Sequence, residues 1–258
     1  RSIWVTGVQT CALPIYQAGW HAAFERNDQL IAAAANAGRD VAVSELVPGD
    51  EHRPSFDSVM TWLMGTESER VSSVDYTRYG DADSNTNWSV RGGLGAVVAH
   101  AAGALNIRFH SAVRTIDYSG PRVRVLGDAG DVDATAVIVT VPTNVLAAQS
   151  ILFRPHLPVR LAEALARIPL GVANKVFLQM APGKLPYEDT VHFIGTDRSV
   201  RTAAYSTRPS GEEVLLAYFG GNLAMELEHR GELEAFARDE LRDRKSTRLN
   251  SSHPYRSR

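Results

Sequence analysis

The stretch from Gly92 to Pro142 constrains this chain most, because its hydrophobic pattern changes period several times in succession. Leu94, Val97, Val98, Ala101 and Leu105 recur at helical spacing, with Gly103 as a stop signal. A polar break at Asn106 leads into Ile107–Phe109, expected to be a strand. Two β-runs follow, Val113–Tyr118 and Arg122–Leu126, joined by the turn Ser119-Gly120-Pro121, and Gly127–Gly130 supplies a second turn. The stretch closes on Ala136–Val141, a β-branched run ended by Pro142. A run without alternation predicts a strand buried on both faces, in a sheet covered by helices.

The two ends of the chain are related to each other codon by codon. Arg1–Ile15 back-translates to a nucleotide sequence whose reverse complement encodes Asp243–Ser257 without a mismatch. Independent protein termini have no physical reason for such a relationship, and the nucleotide sequence resembles a sequencing adapter. Residues 1–15 and 243–258 are therefore expected to be translated adapter, excluded from fold reasoning, around an insert Tyr16–Arg242. Nothing selected these ends to match a core, so they are expected to pack poorly.

Setting the ends aside changes what composition excludes. The insert carries 21 basic and 28 acidic residues, a net charge of −7, which leaves no electrostatic footprint for nucleic acid. The one cysteine, Cys11, lies in the N-terminal end, so disulfide and thiolate chemistry are absent from the insert. No apolar run reaches the length of a membrane span. There is no G-x-S-x-G elbow, no phosphate-binding G-x-x-x-x-G-K-[ST] and no closely spaced His/Cys/Asp/Glu set for a metal. Gly93-Leu94-Gly95 imitates a dinucleotide fingerprint, but no apolar strand precedes it and Val98 stands at the third glycine position; it reads as close helix packing.

Along the insert, Trp20, Phe24, Ile31 and Ala35 form one apolar stripe, predicting a helix over Tyr16–Asn36 with Gly38 near its C-terminal cap. Phe56, Val59, Met60 and Leu63, followed by Gly65, repeat that signature. Ser68–Trp88 is rich in Ser, Asp, Asn and Tyr without periodicity and is expected to be a long connecting loop. After Pro142 come the phrase Ile151-Leu-Phe-Arg-Pro-His-Leu-Pro158, a helix with Leu161, Leu165 and Ile168, and a strand within Gly171–Leu178. Val191–Ile194, Thr202–Ser206 and Glu213–Phe219 read as further strands. Leu233, Phe236 and Leu241 mark a last helix, interrupted at Asp243.

Lys175 stands apart. The insert holds 19 arginines and two lysines, Lys175 and Lys184, so lysine is not its general surface charge. Two-residue alternation gives Lys175 the neighbours Ala173 and Phe177 on its own face of the strand. Buried there, its ammonium would be disfavoured and become a usable proton partner; as a strand-end lysine it would instead reach solvent past its stem.

Helix, strand, meander and returning strand, followed by the Pro-rich phrase, a short helix and a strand carrying one lysine, resemble the middle of the flavin-containing amine oxidases, the group of monoamine, polyamine and L-amino-acid oxidases. The resemblance implies an α/β fold, α+β mixed. A partial FAD-binding domain, residues 93–145, is interleaved with a mixed-sheet, helix-containing substrate domain, residues 16–92 and 146–242. The matching valine, Val113, would hold the adenine end of FAD through its backbone; read without the resemblance, it is an ordinary core valine. The matching lysine, Lys175, would hold a water against flavin N5. The implied reaction is hydride transfer from the carbon beside an amine nitrogen to the flavin, giving an imine, with oxygen reoxidising the cofactor to yield peroxide. The substrate would be a small amine or amino acid. A related FAD-dependent desaturase or porphyrinogen oxidase, or a non-catalytic binding module of the same fold, are the alternative readings. The family's glycine fingerprint and C-terminal flavin segment are missing from the sequence, so the chain is expected to be an inactive internal fragment.

Overall fold

The computed structural model describes residues 19–83, 90, 93–183, 185, 192–195, 199–209 and 211–250, with side chains as far as residue 243. The expected poor packing of Arg1–Ile15, and of the side chains after Asp243, lies outside the described residues. The chain divides into two compact units, one made of Arg1–Gly93 with Gly171–Arg258, the other of Leu94–Leu170.

The first unit begins with helices. α1 (Trp20–Asn36) buries Trp20, Phe24 and Ile31 along the stripe its spacing predicts. Short α2 (Val43–Leu46) and α3 (Arg53–Met64) complete a core in which Phe56, Met60 and Val43 are essentially inaccessible. Each such side chain contributes about 1.5–3 kcal/mol by leaving water. Arg53 ties α3 to α2: its guanidinium pairs with Asp57 at 2.8 Å and donates to the carbonyls of Ser44 and Val47 at 3.2 and 2.9 Å. Gly65, at φ +67, ends α3 in the left-handed conformation that glycine adopts most readily.

The expected loop after Ser68 is corrected. A 3-10 turn (Ser68–Arg70) leads to α4 (Ser73–Ala82), whose N-cap Ser72 accepts from the Asp75 amide at 3.1 Å. Tyr76 sits buried in this helix, packed into the core of α1 and α3. One buried aromatic ring and one good cap hold a helix that has no apolar stripe.

In the second unit, α5 (Leu94–Ala102) forms where the spacing places it, but buries no residue. A Cβ added to Gly95 would meet nothing within 4 Å, so the close helix packing read from Gly93-Leu94-Gly95 is not found. The meander is present as β1 (Val113–Asp117), β2 (Val123–Gly127) and β3 (Val132–Ala134). After α6 (Thr143–Ala147), β4 (Leu152–Arg154) pairs in parallel with β1, giving the order β3-β2-β1-β4, and α7 (Val159–Arg167) follows. Ile107–Phe109 and Ala136–Val141 form no strand, and Ile138 is 89% exposed rather than buried on both faces. β-branched residues favour a pleated surface that neighbours half-bury, and the described residues pair neither run with one. Fifteen of the nineteen large apolar side chains exposed among the described residues belong to this unit.

The first unit resumes with β5 (Ala173–Gln179), β6 (His192–Ile194), β7 (Ala204–Thr207) and β8 (Val214–Gly220), an antiparallel sheet ordered β5-β8-β7-β6. α8 (Gly221–Arg230) and α9 (Leu233–Asn250) follow. The last helix is not interrupted at Asp243, since its backbone runs helical to Asn250. With helices, a mixed sheet and an antiparallel sheet, the fold is α/β of the mixed kind.

Candidate active-site face

Alternation along the second sheet gives it two chemically different faces. On one, Leu178, Leu215, Ala217, Phe219 and Tyr205 are buried in a core shared with Leu223, Leu227 and Ala237 of α8 and α9. The other face carries Lys175 with Ala173, Phe177 and Gln179 from β5. In register beside them stand Gly220, Tyr218, Leu216 and Val214 of β8, then Ala204 and Ser206 of β7, then Ile194 and His192 of β6. Phe177 is 63% exposed and Leu216 and Tyr218 are half-buried, so this face is open within its unit.

Backbone contact fixes the end of this face where β5 starts and β8 stops. The Gly65 carbonyl accepts from the Val172 amide at 2.7 Å, and Val172 in turn accepts from Gly221 at 3.0 Å. A Cβ on Gly220 would lie 1.8 Å from the Thr61 carbonyl oxygen, so only glycine lets the α3 backbone come this close. The helical half is thereby locked to the strands that carry Lys175.

Lys175 itself is exposed, which corrects the burial expected of it. Its same-face neighbours in the ladder, Ala173, Phe177, Leu216 and Gly220, are small or apolar, and its Nζ stands 5.4 Å from the centroid of the Tyr218 ring, its partner in register. Burial, and secondarily the nearby Tyr79 of α4, push the Tyr218 phenol above its usual range, so it stays protonated at neutral pH. One row along the sheet, His192 Nδ1 and Ser206 Oγ are 2.6 Å apart, a hydrogen bond whose donor depends on the tautomer. Burial holds the His192 imidazole below its ordinary value, which favours the neutral ring. Neither Tyr218 nor the His192–Ser206 pair could be singled out from sequence, because pairing register is what brings them to the lysine's face.

Val113 opens β1, opposite Gly127. Both its flanks are clamped to one turn: the Ala112 carbonyl accepts from the Asp128 amide at 3.1 Å, and Arg114 pairs with the Asp128 carboxylate through two bonds of 3.0 and 2.9 Å. The Arg114 hydrogen bond draws the Asp128 carboxyl below its usual range. The backbone at Val113 is thus held in place by its own turn. Among the described residues, no group of three or more His, Cys, Asp or Glu is placed to hold a metal ion, and no described helix is long and apolar enough to cross a membrane.

Residues 21–247 match the family of flavin containing amine oxidoreductases. The chain belongs to that family. The chain is 30% identical over 183 residues to probable polyamine oxidase 5 of Arabidopsis thaliana, covering 63% of this chain and 34% of that protein. It is 31% identical over 144 residues to lysine-specific histone demethylase 1 homolog 2 of Oryza sativa subsp. japonica, covering 53% and 19%. The solved cyclohexylamine oxidase of Brevibacterium oxydans IH-35A shares its fold, with a TM-score of 0.65 at 19% identity over 89% of this chain and 57% of that one. The chain thus spans about a third of the length of the first relative.

Family membership brings a flavin as cofactor. Of the sequence-predicted site residues, Lys175 stands on the open sheet face beside Tyr218, and Val113 lies on a stretch of backbone clamped at both flanks. A pyrophosphate cradle, a glycine turn between a strand and a helix N-terminus, is not found among the described residues: α5 follows Gly93-Leu94-Gly95, but no described strand leads into it.

Proposed function

We propose that this chain is the middle part of an FAD-dependent amine oxidase and is inactive in isolation. The observation that carries the reading is a single exposed lysine on the open face of a sheet within a chain whose residues 21–247 match the family. Bound here, a flavin would supply the hydride acceptor for the carbon beside the amine nitrogen, with oxygen as the final electron acceptor and peroxide as its product.

The chain's own residues bind and position. In this reading residues 93–145 belong to the FAD-binding domain, and residues 16–92 and 146–242 to the substrate domain. The Val113 backbone hydrogen-bonds the adenine edge. The Lys175 ammonium holds a water at the reacting face. Phe177, Leu216 and Tyr218 exclude bulk water from that face and meet the carbon skeleton of a small amine or amino acid. Neither the desaturase nor the porphyrinogen-oxidase reading, nor that of a binding module, has a feature of this face in its favour.

Inactivity follows from magnitude. One or two hydrogen bonds at Val113 contribute about 0.5–1.5 kcal/mol each, whereas association costs roughly 4 kcal/mol even at the low end. The test has two arms. Recovering the longer reading frame around Tyr16–Arg242 and producing that protein should give a yellow flavoprotein that releases peroxide with a diamine, cyclohexylamine or an amino acid; a colourless protein would overturn the oxidase reading. Mixing the present chain with FAD should leave the flavin free, and stoichiometric retention would overturn the fragment reading.

A further inference from the structure

We propose that Tyr218 is a positioning residue for Lys175, holding its ammonium above the open sheet face through a cation–π contact. The inference rests on the reading of Lys175 given above and adds a determinant of where that ammonium sits.

Geometry carries it. Nζ lies 5.4 Å from the Tyr218 centroid, inside the roughly 6 Å range over which an aromatic face attracts a cation. The two residues are partners in the longest ladder of the sheet, in which seven residues of β5 pair in continuous register with β8 from Ala173↔Gly220 to Gln179↔Val214. Their backbones therefore cannot drift apart.

Among the described residues, the ladder places no competing partner beside Lys175. The positions around Lys175 are Ala173, Phe177, Leu216, Gly220 and, across β8, Ala204, none of them a carboxylate. Among the described residues, Lys175 makes no ion pair. A lysine on a flexible four-carbon stem at an open surface otherwise samples many rotamers. Because the Tyr218 phenol is held above its usual range, it stays neutral, and the attraction comes from the ring face rather than from a phenolate. A charge-bearing side chain is thus aimed without a counter-ion that would neutralise it.

The chain's scarcity of lysine makes the contact measurable. It has three lysines, Lys175, Lys184 and Lys245. Reductive methylation with ¹³C-formaldehyde labels each while keeping its charge, and the Lys175→Arg variant identifies the Lys175 dimethylamine signal in a ¹H–¹³C spectrum. In the folded chain that signal should lie upfield of the other two through the ring current of Tyr218. It should move to the unfolded position in urea, stay upfield in Tyr218→Phe, which keeps the ring, and lose its displacement in Tyr218→Leu. A Lys175 signal at the unfolded position in the folded wild-type chain would overturn the proposal, as would one unmoved by Tyr218→Leu. If Tyr218→Leu does not fold, the wild-type chain with and without urea, together with Tyr218→Phe, decides. No flavin takes part, so a failure here is separate from a failure of the oxidase reading, which the longer flavoprotein tests.

Discussion

Glu240 of α9 accepts a 2.7 Å hydrogen bond from the Tyr205 hydroxyl of β7, and the pair closes the buried side of the sheet. The same carboxylate, 7% exposed, takes the Thr202 hydroxyl at 2.5 Å and the Ala203 amide at 3.2 Å. A glutamine there would present an amide to donors that need acceptors. Since a hydrogen bond to a charged group contributes about 1.5–3 kcal/mol, Glu240→Gln should lower the unfolding free energy by about 2–4 kcal/mol. A urea midpoint equal to that of the unaltered chain would contradict it.

Gly220→Ala places a methyl group against the Thr61 carbonyl, where backbone must move to admit it. Overpacking of this kind costs about 1–3 kcal/mol. Thermal unfolding of the variant, followed by far-ultraviolet circular dichroism, should show a lowered Tm.

Alkaline pH should reveal Tyr76. Burial first, and the Asp28 carboxylate that its hydroxyl reaches at 2.8 Å second, push its phenol far above the usual range. The folded chain therefore holds this proton more tightly than the unfolded chain, whose tyrosines titrate near about pH 10. The stability so gained is complete below that pH and is lost as pH rises beyond it. Urea midpoints compared at about pH 8 and pH 11 should fall less for Tyr76→Phe than for the unaltered chain; equal falls would exclude Tyr76 as a source.

Ser72→Ala removes the cap of α4, whose hydroxyl also donates to Asp40 at 2.6 Å. Loss of about 1 kcal/mol is expected. Hydrogen exchange should show it locally, with amides of the first turn of α4 losing protection before those of α1.

How much of this was legible in the sequence differs from element to element. α3 was readable because Phe56, Met60 and Gly65 state periodicity and stop signal together, and β5 because apolar residues surround one lysine. α4 was not, because its signals are the pair Ser72 and Asp75 and one buried ring, which a search for stripes passes over. Ala136–Val141 failed for the opposite reason: its composition is strongly strand-like, but a strand exists only in a ladder. At the site, Lys175 and Val113 were visible as residues. The company Lys175 keeps, Tyr218 above all, was set by the register of β5 on β8, which no local signal encodes.

The Asn222 amide donates to the Glu67 carboxylate at 2.7 Å across 155 positions of sequence, and all of Leu94–Leu170 lies between them. During synthesis, the helices from α1 to α4 leave the ribosome long before the strands that α3 docks against, and the whole of the intervening unit emerges in the meantime. The first unit is therefore the last to close. Its helices must wait with one side of α3 uncovered, while the entropy of joining the two halves rises only with the logarithm of the length between them. Lengthening the intervening unit would thus cost the finished molecule little, yet would prolong the interval in which that uncovered side can meet the wrong partner.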